Sequence, residues 1–293
     1  MAHALLEPVL GLAVEAGERI REVYARDFDV AEKEDRSPLT EADMAAHETI
    51  LAGLRRLSPE LPVLSEESAE IPYAERARWE RYWLVDPLDG TREFIKRNGE
   101  FTVNIALVEA GRPVLGVIHV PVSGVSYFAC AGGGAFRQDP GGEARAIHVR
   151  PWDGGRLVVA GSRSHPSPQL MRFVALFPEH EVVSMGSSLK SCLVAEGRAD
   201  VYVRFGPTSE WDTAAAQCVV EEAGGGLCDF ELRPLRYNTK PSLINPPFIV
   251  CGDLRHDWRR WLRAAQEGHQ QEGDQQEGDQ QEGNQGGAGP GRG

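Results

Sequence analysis

The sequence predicts a layered α/β protein of α+β type, in which helix and sheet layers alternate, and three observations lead to that class. Apolar residues near the N-terminus recur at helical spacing. Residues 101–136 change to short runs of Val, Ile, Phe and Tyr, and from residue 157 strand-like and helix-like runs take turns.

At the N-terminus Leu5, Leu6, Val9, Leu12, Ala13, Ala16 and Ile20 form one stripe, and residues 40–57 repeat the pattern behind a Ser37-Pro38 boundary, which gives two amphipathic helices. Short apolar runs at 61–64 and 82–85 read as strands. The run 101–136, broken by Gly111-Arg112-Pro113, Pro121 and Gly124, reads as an antiparallel meander. Beyond it, strands are expected at 157–160, 181–184, 201–204 and 248–251, alternating with helices at 168–176, 187–196 and 213–223. A division near 150–155 would separate an α+β part, 1–150, from an α/β part, 151–265. Residues 266–293 hold four Gln-Glu-Gly pentapeptides and a Gly-rich end, with six acids against Arg292, and read as a disordered acidic tail that serves solubility or a partner.

At 293 residues and 41% hydrophobic content, the chain can bury a substantial core without staples. Its five cysteines are odd in number, scattered and free of CxxC spacing, so neither a disulfide framework nor a zinc site is expected and a reducing cytoplasm fits. Glu7 and Pro8 interrupt the first apolar run before it reaches signal-peptide length, and no stretch approaches the ~18 apolar residues of a membrane span. The net charge of −13 argues against unaided binding to nucleic acid or an anionic membrane. An acidic protein acting on an anionic substrate needs bound cations or a local basic patch.

Four acidic stations carry the candidate chemistry: Asp43, the pair Glu66-Glu67, the pair Asp86 and Asp89, and Asp212. The apolar run 61–64 leads straight into Ser65-Glu66-Glu67, and 82–85 leads into Asp86, so each strand delivers carboxylates to an edge. Pro87 and Gly90 are expected to form a tight turn that brings Asp86 and Asp89 to one side, with the Leu88 carbonyl between them. Such an all-oxygen set suits Mg²⁺. Taken singly, each acid reads more readily as a helix cap or a solvated turn residue than as a metal ligand.

The combination decides between these readings. Leu64-Ser65-Glu66-Glu67-Ser68, Asp86-Pro87-Leu88-Asp89-Gly90-Thr91 and Glu210-Trp211-Asp212-Thr213-Ala214-Ala215 occur in order and resemble the signatures of the inositol monophosphatase superfamily. The longer phrase 86–108, together with Gly186-Ser187-Ser188-Leu189-Lys190 and 197–204, resembles its branch of CysQ-type 3'(2'),5'-bisphosphate nucleotidases over roughly residues 5–262. The resemblance implies the layered inositol monophosphatase/sugar phosphatase fold and two or three Mg²⁺ ions held by Glu66, Asp86, Asp89, Asp212 and the Leu88 carbonyl, with Glu67 orienting a ligand or water. By the same likeness, Asp43 and Thr91 would orient and deprotonate the attacking water beside Glu66. Asp89, Gly90, Thr91, Ser187, Lys190, Arg204 and Asp212 would hold the nucleotide, with His165 in a loop beside the adenosine.

The implied reaction is removal of the 3'-phosphate of adenosine 3',5'-bisphosphate to give AMP, and of the corresponding phosphate of 3'-phosphoadenylyl sulfate, in sulfate assimilation. Lithium sensitivity is implied as well. Some members associate with the cytoplasmic face of the bacterial inner membrane, although no segment here supplies an anchor; the cytoplasm is expected first. Three other readings compete: a superfamily phosphatase acting on inositol or sugar phosphates, a haloacid-dehalogenase-type phosphatase, and a metal-binding regulator without catalysis. Two residues rather than one separate the aspartates, which disfavours the dehalogenase pattern, and Asp43 and Thr91 beside every carboxylate disfavour the regulator.

Overall fold

A computed structural model describes residues 2–32, 38–162 and 167–267. The chain begins with α1 (Ala2–Tyr24), a short hairpin of β1 (Val30–Glu32) and β2 (Pro38–Thr40), and α2 (Glu41–Leu57). Then come β3 (Val63–Ser65), a 3-10 turn (Glu66–Ser68), α3 (Tyr73–Arg76), β4 (Arg81–Asp89) and α4 (Thr91–Ile95). The meander consists of β5 (Thr102–Glu109), β6 (Arg112–His119), β7 (Ser126–Cys130), β8 (Ala135–Gln138) and β9 (Arg145–Ile147). The second half runs β10 (Leu157–Ser162), α5 (Pro168–Ala175), β11 (His180–Met185), α6 (Leu189–Ala195), β12 (Val201–Arg204), a 3-10 turn (Glu210–Asp212), α7 (Ala214–Glu222), β13 (Gly226–Asp229) and β14 (Phe248–Cys251). A last helix, α8, spans 259–267, so helical structure continues to the start of the repeats. His165 and the tail beyond residue 267 lie outside the described residues.

Strands β3 to β9 form one seven-stranded sheet in sequence order, all antiparallel except the parallel β3–β4 pair. The second sheet has the order β11-β10-β12-β14-β13, and the chain passes from one sheet to the other between Ile147 and Leu157. Alternation along the strands sorts the core into layers. On β4, Trp83 and Val85 face Val9, Leu12, Ile20 and Ile50 of α1 and α2, while Tyr82 and Leu84 face Val194 and Val219 of α6 and α7. The second sheet repeats the arrangement, with Tyr202 and Val250 toward α6 and α7, and Val201, Val203 and Ile249 toward Phe173 of α5 and Trp258 and Leu262 at α8. The result is five layers, helix–sheet–helix–sheet–helix. The expected meander and alternation are both present; β1, β2, β9, β13 and the helices α3, α4 and α8 add to the elements that the sequence predicts.

Two glycines permit close approaches on opposite faces of β6. A Cβ at Gly116 of β6 would stand 2.4 Å from the Ala215 carbonyl oxygen, so α7 lies directly on the strand there. A Cβ at Gly17 of α1 would stand 2.6 Å from the His119 ring. Among the described residues no helix is long and apolar enough to cross a membrane, and all five cysteines are free and buried.

Candidate active site

Strand β4 ends in a bulge rather than in the turn expected from Pro87 and Gly90. Asp86 pairs with Asn104 and Asp89 with Thr102, so Pro87 and Leu88 together oppose the single residue Val103. Proline has no N–H to give to the ladder, and the extra residue resets the alternation, so that Asp86 and Asp89 face the same side. The Leu88 N–H donates to Asp86 Oδ1 at 3.0 Å. Gly90 then takes φ +95° to start α4; a Cβ there would meet Ser187 Cβ at 3.2 Å, and a side chain would be strained at that φ in any case.

The other acids arrive from different elements. Glu66 opens the 3-10 turn after β3, whose Ser65 pairs with Val85, so it emerges beside Asp86; Glu67 follows it, half-buried, in the same turn. Asp212 closes the 3-10 turn before α7, its Oδ2 accepting from the Ser209 N–H at 2.8 Å. Carboxylate oxygens of Asp86, Asp89 and Asp212 lie within 4.8 Å of one another. Burial first, and then the charges of Glu66, Asp89 and Asp212, push the Asp86 carboxyl well above the usual range. Burial and Asp89 raise Asp212 to about 8. Crowded buried carboxylates of this kind are an all-oxygen, anionic set that fits a hard divalent cation such as Mg²⁺.

Asp43 is the third residue of α2 and is buried. Its Oδ2 accepts from the Thr40 N–H at 2.8 Å and the Thr40 hydroxyl at 2.6 Å, a capping box that fixes the carboxylate. The other oxygen, Oδ1, accepts from the Thr91 hydroxyl at 3.2 Å. Thr91 lies 3.4 Å from the Leu88 carbonyl oxygen as well.

The acids sit at one end of a cleft of about 730 Å³ lined by Glu66, Asp89, Gly90, Thr91, Ser187, Lys190, Arg204, Trp211 and Asp212, with Asp86 buried behind. Ser187 adopts φ +46°, and the Lys190 ammonium donates to its carbonyl at 2.6 Å while lying 5.3 Å from the Tyr202 ring centre. Burial lowers the Lys190 ammonium to about 8. The Arg204 Nη2 reaches the Pro207 carbonyl at 3.2 Å, and its buried Nε has no hydrogen-bond partner among the described residues.

The family model of the inositol monophosphatases matches residues 2–270. The chain belongs to that family. The 3'(2'),5'-bisphosphate nucleotidase CysQ of Salmonella typhimurium is 51% identical over 248 residues, covering 84% of this chain and 99% of that protein. The Escherichia coli protein of the same name is 50% identical over the same shares. Among solved structures, the crystal structure of CysQ from Bacteroides thetaiotaomicron, a bacterial member of the inositol monophosphatase family, is 43% identical, with a TM-score of 0.74 over 84% of this chain and 96% of that one. An inositol monophosphatase from Thermotoga maritima, 24% identical with a TM-score of 0.72, shares the fold.

Within this inositol monophosphatase fold, four further residues belong to the site that sequence reasoning passed over. Thr40 was legible as a cap three residues before Asp43. Asn104, a buried amide in the apolar strand β5, stands out by polarity alone. Ser188, beside the selected Ser187, donates from N–H and hydroxyl to Asp89 Oδ2 at 2.6 and 2.8 Å. Glu210, fully buried two residues before Asp212, accepts from the Asn238 N–H at 2.7 Å and anchors the loop that carries Ile244 to the cleft. Nothing in the one-dimensional spacing marks Ser188 over Ser187.

Proposed function

We propose that the protein is a Mg²⁺-dependent 3'(2'),5'-bisphosphate nucleotidase that hydrolyses adenosine 3',5'-bisphosphate to AMP and phosphate. The observation that carries the substrate is the extent of the match, since relatives of that name are half identical over nearly their whole length. The carboxylate cluster supports the metal requirement: Glu66, Asp86, Asp89, Asp212 and the Leu88 carbonyl are the proposed ligands of two or three ions, with Glu67 behind them.

Magnesium, when bound, would neutralise the phosphate and stabilise the departing oxygen. The chain supplies the rest. Thr91 gives its hydroxyl proton to Asp43 Oδ1, which leaves its lone pairs to accept a proton from the attacking water, and Thr40 keeps Asp43 from turning away. Arg204, a guanidinium that lines the cleft, is suited to the phosphate that is not cleaved, and the Lys190 charge supports it from behind Ser187. Gly90, Thr91, Ser187, Asp89 and Asp212 line the space between, and His165 is proposed for the adenosine side.

Phosphate release from adenosine 3',5'-bisphosphate and from inositol 1-phosphate, each with and without Mg²⁺, tests the reading. A Mg²⁺-driven preference for the nucleotide is expected; a large preference for inositol 1-phosphate defeats it. Action on 3'-phosphoadenylyl sulfate, a place in sulfate assimilation in the cytoplasm or on the inner face of a membrane, and inhibition by lithium belong to the same proposal. A lithium titration in that assay that left the rate untouched would weaken it.

A further inference from the structure

Asp89 and Asp212 come from different sheets' connections, yet one hydroxyl touches both segments. Ser188 Oγ lies 2.8 Å from Asp89 Oδ2 and 3.0 Å from the Asp212 carbonyl oxygen, so its single proton is within reach of either acceptor. The same Oγ accepts from Asn104 Nδ2 at 2.9 Å, and that amide group also stands 3.4 Å from Asp89 Oδ2. The Thr102 hydroxyl donates to Asn104 Oδ1 at 2.9 Å, which fixes the amide with its nitrogen toward Ser188. Thr102, Asn104 and Ser188 are all buried. The Ser188 backbone N–H adds a third donor to Asp89 Oδ2 at 2.6 Å.

These contacts have a directional consequence. Three donors surround Oδ2 of Asp89, which fixes the plane of the carboxylate and leaves Oδ1 available as a ligand atom. The donors come from β5 and from the turn before α6, so a correctly aimed Asp89 requires the two halves of the chain to be docked in this register. Ser187, in its left-handed conformation and held through its carbonyl by Lys190, sets the path of the backbone into Ser188.

We propose that Ser188 and Asn104 are positioning residues of the metal centre, which aim the Asp89 carboxylate and fix its distance from Asp212. The proposal rests on the metal-dependent reading given above. Groups that orient a ligand without touching the ion typically contribute about 10–100-fold to metal affinity.

The test is calorimetric titration of Mg²⁺, with Mn²⁺ as a second probe, into the metal-stripped full chain and its Ser188→Ala and Asn104→Ala variants. It is paired with the Mg²⁺ concentration for half-maximal rate on adenosine 3',5'-bisphosphate. Each variant is expected to bind both ions at least about tenfold more weakly, and to need correspondingly more Mg²⁺. The KM for nucleotide at saturating Mg²⁺ is expected to stay near that of the wild type, a split that general loss of structure does not produce. Wild-type metal affinity in either variant, at unchanged circular dichroism, overturns the proposal. If Ser188→Ala fails to fold, Asn104→Ala decides alone, since it leaves the serine in place. A wild-type chain that binds no Mg²⁺ would instead remove the parent reading, so the two failures are distinguishable.

Discussion

Asp89 is a half-buried carboxylate whose loss of charge leaves the packing around it intact. Asp89→Asn is therefore expected to reduce turnover by more than the ~10–100-fold typical of residues that only orient a ligand, with little change in circular dichroism. Phosphate release at saturating Mg²⁺ checks this, and retained activity would remove Asp89 from the ligand set. Thr91→Val keeps the shape of the side chain and deletes the hydroxyl that donates to Asp43 Oδ1 and is proposed to take the proton of the attacking water. Its expected effect is a fall in kcat of roughly 10²–10⁴-fold with KM almost unchanged, read from steady-state kinetics. A rise in KM alone would mean that Thr91 binds substrate without passing a proton.

At the level of elements, the helices are fixed to the sheets by contacts that leave little slack. Gly116→Ala would force α7 away from β6 at the Ala215 carbonyl, an overpacking cost of about 1–3 kcal/mol. Because Asp212 lies two residues before α7, the variant is expected to show both a lower urea midpoint and a higher Mg²⁺ requirement. A lower midpoint with unaltered Mg²⁺ dependence would separate helix from site. On the opposite face, His119 of β6 packs against Gly17 of α1 and shares a 2.8 Å hydrogen bond with Ser126. Burial, aided by Arg21, lowers its imidazole from 6.5 to about 4. The unfolded chain thus takes up a proton between those values that the folded chain refuses. His119 accordingly favours the folded state fully above pH 6.5, and that contribution, on the order of 3 kcal/mol, is lost as the pH falls toward 4. His119→Asn, which cannot titrate, should show a shallower fall in thermal midpoint from pH 7 to 5 than the wild type; an equal fall assigns the acid sensitivity elsewhere.

For the whole molecule, the carboxylate cluster is a joint between two sheets: Glu66 follows β3 and Asp86 and Asp89 lie at the end of β4 in the first, and Asp212 follows β12 of the second. The crowded carboxylates repel one another across that joint, and the proposed cation would close it. Mg²⁺ is expected to raise the melting temperature of the whole chain, since binding only the folded form at 100 times Kd adds about 2.7 kcal/mol. In Asp212→Asn the increase should shrink or vanish. A full Mg²⁺-induced increase in that variant, by scanning calorimetry, would show that the ions are held by the first half alone.

The amino-acid sequence by itself determined the two opening helices, the meander and the α/β alternation, because apolar periodicity is set residue by residue and survives without coordinates. It determined the family too, through three motifs whose order the chain carries whatever its shape. The acids were legible because charge beside Pro and Gly at the end of an apolar run is conspicuous. Only the tertiary structure decided that Asp86 and Asp89 share a side through a bulge, that the Lys190 ammonium lies on the Ser187 carbonyl, and that Ser188 rather than its neighbour contacts Asp89. Each of these depends on register and on a contact between segments far apart in the chain. Sequence periodicity says which face a residue occupies, but not what stands opposite.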